Sequence, residues 1–180
     1  MPGKAKPPQP SGSLSSGILP DVLAPGLSVV FCGSAAGRAS ARIGAYYAGP
    51  GNRFWPTLHE VGLTPKRLQP QDFRALTGYG LGLTDLCKSA AGADHELPAG
   101  TDDPRGLERK IERYQPKFLA FVGKRAAAAY FGRPVALGPQ ADRIGLTRTF
   151  VLPSPSGAAR RYWDIRPWHA LAALAGKDGH

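Results

Sequence analysis

The chain has 180 residues, of which 42% are hydrophobic and 20% charged, so it is long and apolar enough to fold around a core of its own. No apolar run approaches the roughly 20 residues of a membrane span, and the N-terminus lacks the apolar stretch of a signal peptide, so we expect a soluble, cytoplasmic protein. The 23 lysines and arginines exceed the 13 aspartates and glutamates, and the net charge of +10 favours a polyanionic partner, above all nucleic acid.

The first segment of the chain, residues 1–20, is rich in proline, glycine and serine and has few large apolar side chains. Such a segment cannot bury enough apolar surface to fold, so we predict a disordered basic tail. Lys4 and Lys6 would add a loose attraction to DNA. The folded domain is predicted to span residues 21–180.

Strand and helix patterns alternate from Asp21 onward. Short apolar runs predict four strands, at 27–33, 81–87, 117–123 and 148–153. Capped or amphipathic segments predict five helices, at 52–63, 70–80, 103–116, 124–132 and 164–176. This alternation predicts a single three-layer α/β domain, in which helices flank a mostly parallel sheet of about four strands.

The loops after the four strands are expected to hold a ligand, because parallel sheets bind ligands beyond the carboxyl ends of their strands. These loops are residues 33–42, 85–88, 123–125 and 153–160. The first reads GSAAGRAS, which has neither the glycine spacing of a dinucleotide fold nor the lysine ending of a P-loop. We therefore expect no nucleotide cofactor.

The cysteines and histidines do not suggest a metal site. Cys32 and Cys87 lie in apolar, strand-like segments and are interpreted as buried free thiols in a reducing compartment. Two cysteines are too few for a protein-held iron–sulfur cluster, and the four histidines show no ligand spacing. We expect neither a metal nor any other cofactor.

The fourth loop, VLPSPSGAAR at 151–160, combines two prolines with small side chains and ends on an arginine. Small residues let the main chain approach a ligand closely, and serine hydroxyls with backbone N–H groups suit a phosphodiester. A tight surface turn would have the same composition.

Five segments, in order along the chain, are similar to segments of one known protein family: DVLAPGLSVVFCG, AGPGNRFWPTLHEVGLT, GLGLTDL, YQPKFLAFVGK and FVLPSPSGAAR. Together they resemble the mismatch-specific uracil/thymine-DNA glycosylase family, within the uracil-DNA glycosylase superfamily. The resemblance runs from about residue 21 to residue 160 and implies a small α/β domain that flips a base out of DNA. It also implies hydrolysis of the N-glycosidic bond without a metal or cofactor, leaving an abasic site.

The family's first motif, Gly-Ile-Asn-Pro-Gly, corresponds here to residues 33–37, which read GSAAG. The resemblance implies that Gly33, the backbone near Ser34, and Ser40 face the flipped base. It also implies that Tyr47 stacks on this base, although a surface aromatic would fit the sequence too. The asparagine that positions the attacking water in the family is replaced by Ala35, which has no polar group.

The family's second motif, Asn-Pro-Ser-Gly, corresponds to residues 154–157, which read SPSG. Ser154 is therefore a candidate for catalysis, beside Asp85. The resemblance implies DNA contacts by Ser156, Gly157, Ala158 and Arg160, with Lys124 as a further phosphate contact. Ala158 occupies the position of a bulkier wedge and fills little of the gap that a flipped base leaves, which argues against a strong preference for one opposing base.

Asp85, in GLTDL, is the candidate for the missing chemistry, because it ends the second predicted strand where relatives place asparagine or lysine facing the base. Ionised, it could accept the uracil N3–H, activate water or stabilise the sugar cation. Protonated after desolvation, it could donate to O4 instead, and it could also simply cap a loop.

The leading hypothesis is a monomeric, monofunctional glycosylase that removes uracil from DNA with Asp85 in place of the asparagine. Asp85 at the base edge could also shift the preference toward deaminated purines. The alternative is an inactive module that binds a lesion or an abasic site.

Overall fold

A computed structural model describes residues 17–176 of this chain, and the strands within them form one sheet. The five strands are β1 (Val29–Gly33), β2 (Leu81–Asp85), β3 (Phe118–Val122), β4 (Gly138–Ile144) and β5 (Thr147–Leu152). Their order across the sheet is β2-β1-β3-β5-β4. β1 pairs in parallel with β2 and β3, and β3 pairs in parallel with β5, so the four predicted strands and their parallel arrangement are confirmed.

Helices connect the parallel strands. The α-helices are α1 (Arg38–Ile43), α2 (Phe54–Glu60), α3 (Pro104–Tyr114), α4 (Lys124–Phe131) and α5 (Arg166–Gly176), and shorter 3₁₀ helices span Pro70–Tyr79, Asp94–Glu96 and Gly157–Tyr162. α3 shows why its sequence forms a helix. The Asp103 side chain accepts a hydrogen bond from Gly106 N, and Pro104 follows in the first turn, where its missing N–H has no consequence.

A fifth strand, β4, lies beside the four predicted ones. It pairs antiparallel with β5 at the edge of the sheet, and most of its side chains are at least partly exposed, with Ile144 buried. An edge strand of this kind, with a glycine, a proline and several polar residues, lacks the apolar run that revealed the other strands. Helix α1 was also not predicted, because it has only six residues and buries only Ser40.

The sheet separates two apolar layers, as the three-layer prediction requires. β1, β2 and β3 are buried along their whole length, which explains their continuous apolar sequences. One layer contains Phe31, Leu83, Phe150, Phe54 and Trp168. The other contains Cys32, Leu119, Phe121, Leu107 and Ile111.

The packed chain begins before Asp21. Leu19 is 2% exposed and belongs to the first apolar layer, and Val22 forms an antiparallel bridge with Leu83 of β2. Residues 17–20 therefore lie against the domain, whereas residues 1–16 of the predicted tail lie outside the described residues. Within 17–176, each helix is too short or too polar to cross a membrane.

Candidate active site

A pocket of about 310 Å³ opens at the carboxyl edge of the parallel strands. Residues from all four predicted loops line it. The predicted base-binding residues that line it are Gly33, Ser34, Ser40, Tyr47 and Asp85. The loops after β3 and β5 add Lys124, Ser154 and Ser156. The volume falls in the range typical of small-molecule sites, so one nucleobase would fit.

Asp85 is the last residue of β2 and pairs in register with Gly33 of β1. Asp85 is only 5% exposed. Burial raises the pKa of Asp85 to about 6, with Asp21 adding to the rise and Lys88 and Lys110 opposing it. A carboxyl group with this pKa can exchange a proton near neutral pH, as a general base requires.

Two lysines near Asp85 are held by another aspartate. Asp21 accepts hydrogen bonds from Lys88 Nζ at 3.0 Å and Lys110 Nζ at 2.7 Å, and the Thr84 hydroxyl donates to it at 2.8 Å. Burial opposes ionisation of Asp21, but the two ammonium groups outweigh it and hold its pKa below the usual value. Sequence reasoning missed this cluster, because Asp21 precedes β1 and no local pattern links it to residues 84–110.

Tyr47 is held in an unusual conformation. Its φ is +52°, a region that costs a bulky residue about 1–3 kcal/mol. Hydrogen bonds on both sides fix the turn, since Trp55 Nε1 donates to the Tyr46 carbonyl at 2.9 Å and Ala48 N donates to Ser40 Oγ at 3.0 Å. The hydroxyl of Ser40 therefore supports the turn that carries Tyr47.

The Tyr47 ring stacks on the buried Phe54 ring, with centroids 4.0 Å apart and an angle of 22°. The ring also lines the pocket, so it could serve as a platform for a base. Its hydroxyl oxygen is buried and has no hydrogen-bond partner among the described residues. An unpaired buried hydroxyl costs about 1–3 kcal/mol, and phenylalanine would give the same stack without that cost.

Gly33 separates Asp85 from Tyr47. A Cβ atom placed on Gly33 would lie 2.7 Å from Asp85 Oδ1 and 3.1 Å from the Tyr47 hydroxyl oxygen. The first distance is shorter than a real Cβ contact, so only glycine lets the two side chains keep these positions. The two oxygens consequently lie within about 6 Å of each other, over the same glycine.

The rest of the glycine-rich turn is anchored through its main chain. The Gly33 and Ser34 carbonyls accept from Leu86 N and Cys87 N at 2.8 Å, and the Ala36 carbonyl accepts from Gly92 N at 2.9 Å. Ala35 lines the pocket with a methyl group. The turn therefore binds to the loop after β2 and brings Asp85 to the pocket, while its own central side chains supply no reactive group.

The second motif lies on the other side of the pocket. Pro155 O accepts from Arg53 N at 2.9 Å, and a Cβ on Gly157 would lie 3.0 Å from Pro50 O, so small residues let the two loops pack closely. A Cβ atom placed on Gly123, the residue after β3, would lie 3.5 Å from the Ser154 side chain, so Ser154 lies over the end of β3, and β1 separates that strand from β2, which ends at Asp85. The two catalytic candidates therefore line the same pocket from different strands of the sheet.

A 3₁₀ helix, Gly157–Tyr162, follows the second motif at this side of the pocket. Gly157, Ala158 and Arg160 lie on it, beyond the residues that line the pocket. Arg160 and Arg161 are exposed, and Tyr162 is 78% exposed. Sequence reasoning missed Tyr162, since a lone aromatic after two arginines gives no signal about its exposure.

Two other arginines at the pocket are already paired. Arg125 makes a bidentate ion pair with Asp102, at 2.9 and 3.0 Å, and Arg38 pairs with Glu96. Lys124 is exposed at the rim. Cys32 and Cys87 are buried and free, as the sequence predicted. Within residues 17–176, no three metal-binding side chains come close enough to hold an ion.

This arrangement defines the class of protein: an α/β domain with a base-sized pocket at the carboxyl edge of its strands, a buried carboxylate inside and basic side chains at the rim. The chain belongs to the uracil DNA glycosylase superfamily, whose sequence model matches residues 20–176. The predicted superfamily is thus confirmed, and membership supports a DNA glycosylase role in DNA repair.

The fold is also found in a solved structure, the solution NMR structure of "a putative Uracil DNA glycosylase from Methanosarcina acetivorans". The two chains are 24% identical, and the match covers 90% of this chain and 97% of the other, with a TM-score of 0.59. This similarity shows a shared fold.

Proposed function

We propose that this protein removes uracil from DNA by hydrolysing its N-glycosidic bond, and that Asp85 replaces the asparagine missing at Ala35. The observation that carries the proposal is the buried carboxylate of Asp85 inside the pocket, with a pKa near 6. The mismatch-specific branch of the superfamily is the one that the quoted motifs favour.

In the proposed reaction, the ionised Asp85 carboxylate faces the sugar of the flipped nucleotide. The bond between C1′ and the base nitrogen breaks, and its electron pair leaves with the base. The water oxygen forms a bond to C1′, and a proton of that water passes to Asp85. The departing base anion takes a proton from solvent. The same negative charge stabilises the positive charge that develops on the sugar.

The base itself would stack on the Tyr47 ring, which Phe54 supports from the other side. The backbone at Gly33 and Ser34 would face the oxygens of the base, since both residues line the pocket. Ser154, on the far side of the pocket from Asp85, would contact the sugar or phosphate of the flipped nucleotide.

We further propose that the DNA strand lies across the Gly157–Tyr162 helix and the rim. Ser156, Gly157, Ala158, Arg160 and Lys124 contact the backbone there. The exposed Tyr162 ring would stack on a base beside the flipped one, because exposed aromatic side chains next to arginines suit unstacked bases. An open face of this kind needs no second subunit, so we propose that the protein acts as a monomer.

Two substitutions test this surface. Arg160→Ala is expected to lower the slope of log affinity against log salt by about 1, because one phosphate contact is lost. Tyr162→Ala is expected to weaken binding to single-stranded DNA about 5- to 150-fold, which corresponds to one stacked base. Fluorescence anisotropy with labelled oligonucleotides measures both.

Leu146→Ala is the matched control for Tyr162. Leu146 is 88% exposed and precedes β5, so it lies at the opposite end of the sheet from the pocket. If Leu146→Ala and Tyr162→Ala weaken binding equally, the proposed DNA surface is wrong.

The glycosylase proposal is tested with oligonucleotides that carry uracil in a single strand, opposite guanine, or opposite adenine, with hypoxanthine as a further arm. Alkali converts abasic sites into strand breaks that a gel resolves. Removal of uracil supports the proposal, and removal of hypoxanthine alone would replace uracil with a deaminated purine as the substrate.

Lesion-selective binding without cleavage would instead favour the inactive binding module. The methyl group of Ala35 in the pocket is compatible with that alternative as well. Ala35→Asn separates the two readings further. A binding module should gain activity that it lacks, whereas an enzyme built around Asp85 should change little.

A further inference from the structure

Packing does not explain why a hydroxyl group stands at Tyr47 in the pocket. The ring alone accounts for the contact with Phe54, yet the residue also carries a buried oxygen without a partner in the described part of the chain. It does so at a positive φ that hydrogen bonds on both sides maintain. Strain and an unpaired polar group that coincide at a pocket indicate a functional role.

Asp85 is an acceptor close to this hydroxyl. Both side chains lie against Gly33, and their oxygens are within about 6 Å of each other. The terminal torsion of an aspartate is soft, so rotation of the carboxyl group brings an oxygen closer to Tyr47 at little cost. Hydrogen bonds in active sites are commonly long before substrate binds and shorten in the complex.

We propose that Tyr47 is a positioning residue: its hydroxyl donates a hydrogen bond to the Asp85 carboxylate when a nucleobase occupies the pocket, and thereby holds that carboxylate ionised and directed at the sugar. This inference rests on the proposed function of Asp85. It gives Tyr47 two separate tasks, since the ring supports the base and the hydroxyl supports the carboxylate.

The charges around Asp85 leave room for such a donor. Lys88 and Lys110 are the nearby cations, and Asp21 holds both of them, while Lys88 also donates to the Tyr46 hydroxyl at 3.1 Å. The groups that face Asp85 come from five different parts of the fold, and they are Asp21, Cys32, Tyr46, Tyr47, Lys88 and Lys110. Burial raises the pKa of Tyr47, and Asp85 raises it further, so its hydroxyl keeps the proton that it would donate.

Tyr47→Phe tests the inference, because it keeps the ring and removes only the hydroxyl. A hydrogen bond to the charged form lowers the pKa of an acid, so its loss should raise the pKa of Asp85 in the complex. The single-turnover rate of uracil removal should therefore rise with pH at a midpoint about one pH unit higher than in the wild type. At pH values below that midpoint, the variant should be about tenfold slower than the wild type. Affinity for DNA should stay unchanged.

Tyr130→Phe is the matched control. It also removes a hydroxyl that lies near a carboxylate, since Tyr130 donates to Glu108 at 2.8 Å, but it lies outside the pocket of Asp85. Its pH profile should coincide with that of the wild type. A Tyr47→Phe profile with an unchanged midpoint, whether or not its rate is lower, would overturn the inference and leave the proposed role of Asp85 intact.

A second measurement does not depend on turnover. Aspartate labelled with ¹³C at Cγ reports the pKa of Asp85 by NMR, with Asp85→Asn to assign the signal. The probe is an oligonucleotide with 2′-fluoro-deoxyuridine, whose fluorine opposes formation of the sugar cation. Binding should lower the pKa of Asp85 in the wild type and not in Tyr47→Phe. Equal pKa values in the two complexes would contradict the inference, whereas a wild type that binds and never cleaves would contradict only the glycosylase proposal.

Discussion

Asp85→Asn is expected to lower the single-turnover rate of uracil removal about 10²- to 10⁴-fold near neutral pH, the usual contribution of a general base. Asparagine keeps the size of the side chain but can neither take a proton from water nor stabilise a cation by charge. Binding of uracil-containing DNA should persist, because the DNA contacts proposed above lie at the rim. Quenched-flow assays with excess enzyme separate the chemical step from product release.

The same substitution should stabilise the fold. The pKa of Asp85 is about 6 in the folded protein, against 3.8 for a free side chain, so ionising it opposes folding. The unfolded chain releases this proton near pH 4 and the folded protein near pH 6, so the penalty grows as pH rises between these values and is complete above them. Above pH 7, Asp85→Asn should gain up to about 3 kcal/mol in the free energy of unfolding, and this gain should disappear below about pH 4.

Asp94→Asn is the control for both measurements. Asp94 also lines the pocket but is exposed, so its charge needs no desolvation on folding. The variant should cleave at the wild-type rate and unfold at the wild-type free energy within about 0.5 kcal/mol, as exposed surface substitutions usually do. An Asp85→Asn protein that cleaves like the wild type would move the chemistry away from Asp85. A loss of rate without any gain in stability would mean that Asp85 is less desolvated than its position in the fold implies.

The sequence allowed the position of Asp85 to be predicted because two simple rules combine there. A buried strand of a parallel sheet is a continuous apolar run, and the residues that end such strands meet at one edge. The segment 81–87 satisfies both, and β2 ends at Asp85, two residues before the predicted end of that strand. β4 satisfies neither, since its exposed face and its antiparallel pairing leave a polar sequence that resembles a loop.

Local sequence patterns could not predict the contacts between residues that are far apart in the chain. Asp21 holds Lys110, which is far away in sequence, and Gly33 brings Tyr47 beside Asp85 although the three residues belong to separate elements. The positive φ of Tyr47 also has no sequence signal, because aromatic residues rarely adopt it and glycine is the usual indicator. The environment that sets the pKa of Asp85 is therefore a property of the tertiary structure.

The contacts around Gly33 explain why the turn GSAAG carries no reactive side chain. Its residues are small because the turn passes between Asp85, Tyr47 and the loop after β2, and its carbonyls hold that loop in place. The proposed reactive group, the Asp85 carboxylate, lies on the neighbouring strand β2, and the turn determines the position of that carboxylate.

Gly33→Ala should therefore remove activity as effectively as a change to Asp85 itself. The backbone of Gly33 lies outside the left-handed region, so alanine meets no backbone strain, and the effect comes from its Cβ alone. That atom would lie 2.7 Å from Asp85 Oδ1 and 3.1 Å from the Tyr47 oxygen, so the carboxylate must turn away. We expect a rate loss of at least about 10²-fold, the lower end of a lost general base, with a fold destabilised by about 1–3 kcal/mol through overpacking.

Gly37→Ala is the matched control, since it lies in the same turn, lines the same pocket and has a φ of −66°. A Cβ placed on Gly37 meets nothing within 4 Å, so this variant should cleave as the wild type does, with only the loss of up to about 1 kcal/mol that alanine causes at a helix N-cap. Single-turnover rates and urea unfolding of the two variants, measured side by side, make the comparison. If both alanine variants cleave alike, the space over Gly33 has no special importance, and neither the position of Asp85 nor that of Tyr47 depends on it. If only Gly33→Ala loses activity while uracil-DNA binding survives, the missing Cβ is what lets a turn without reactive side chains serve a catalytic carboxylate on the neighbouring strand.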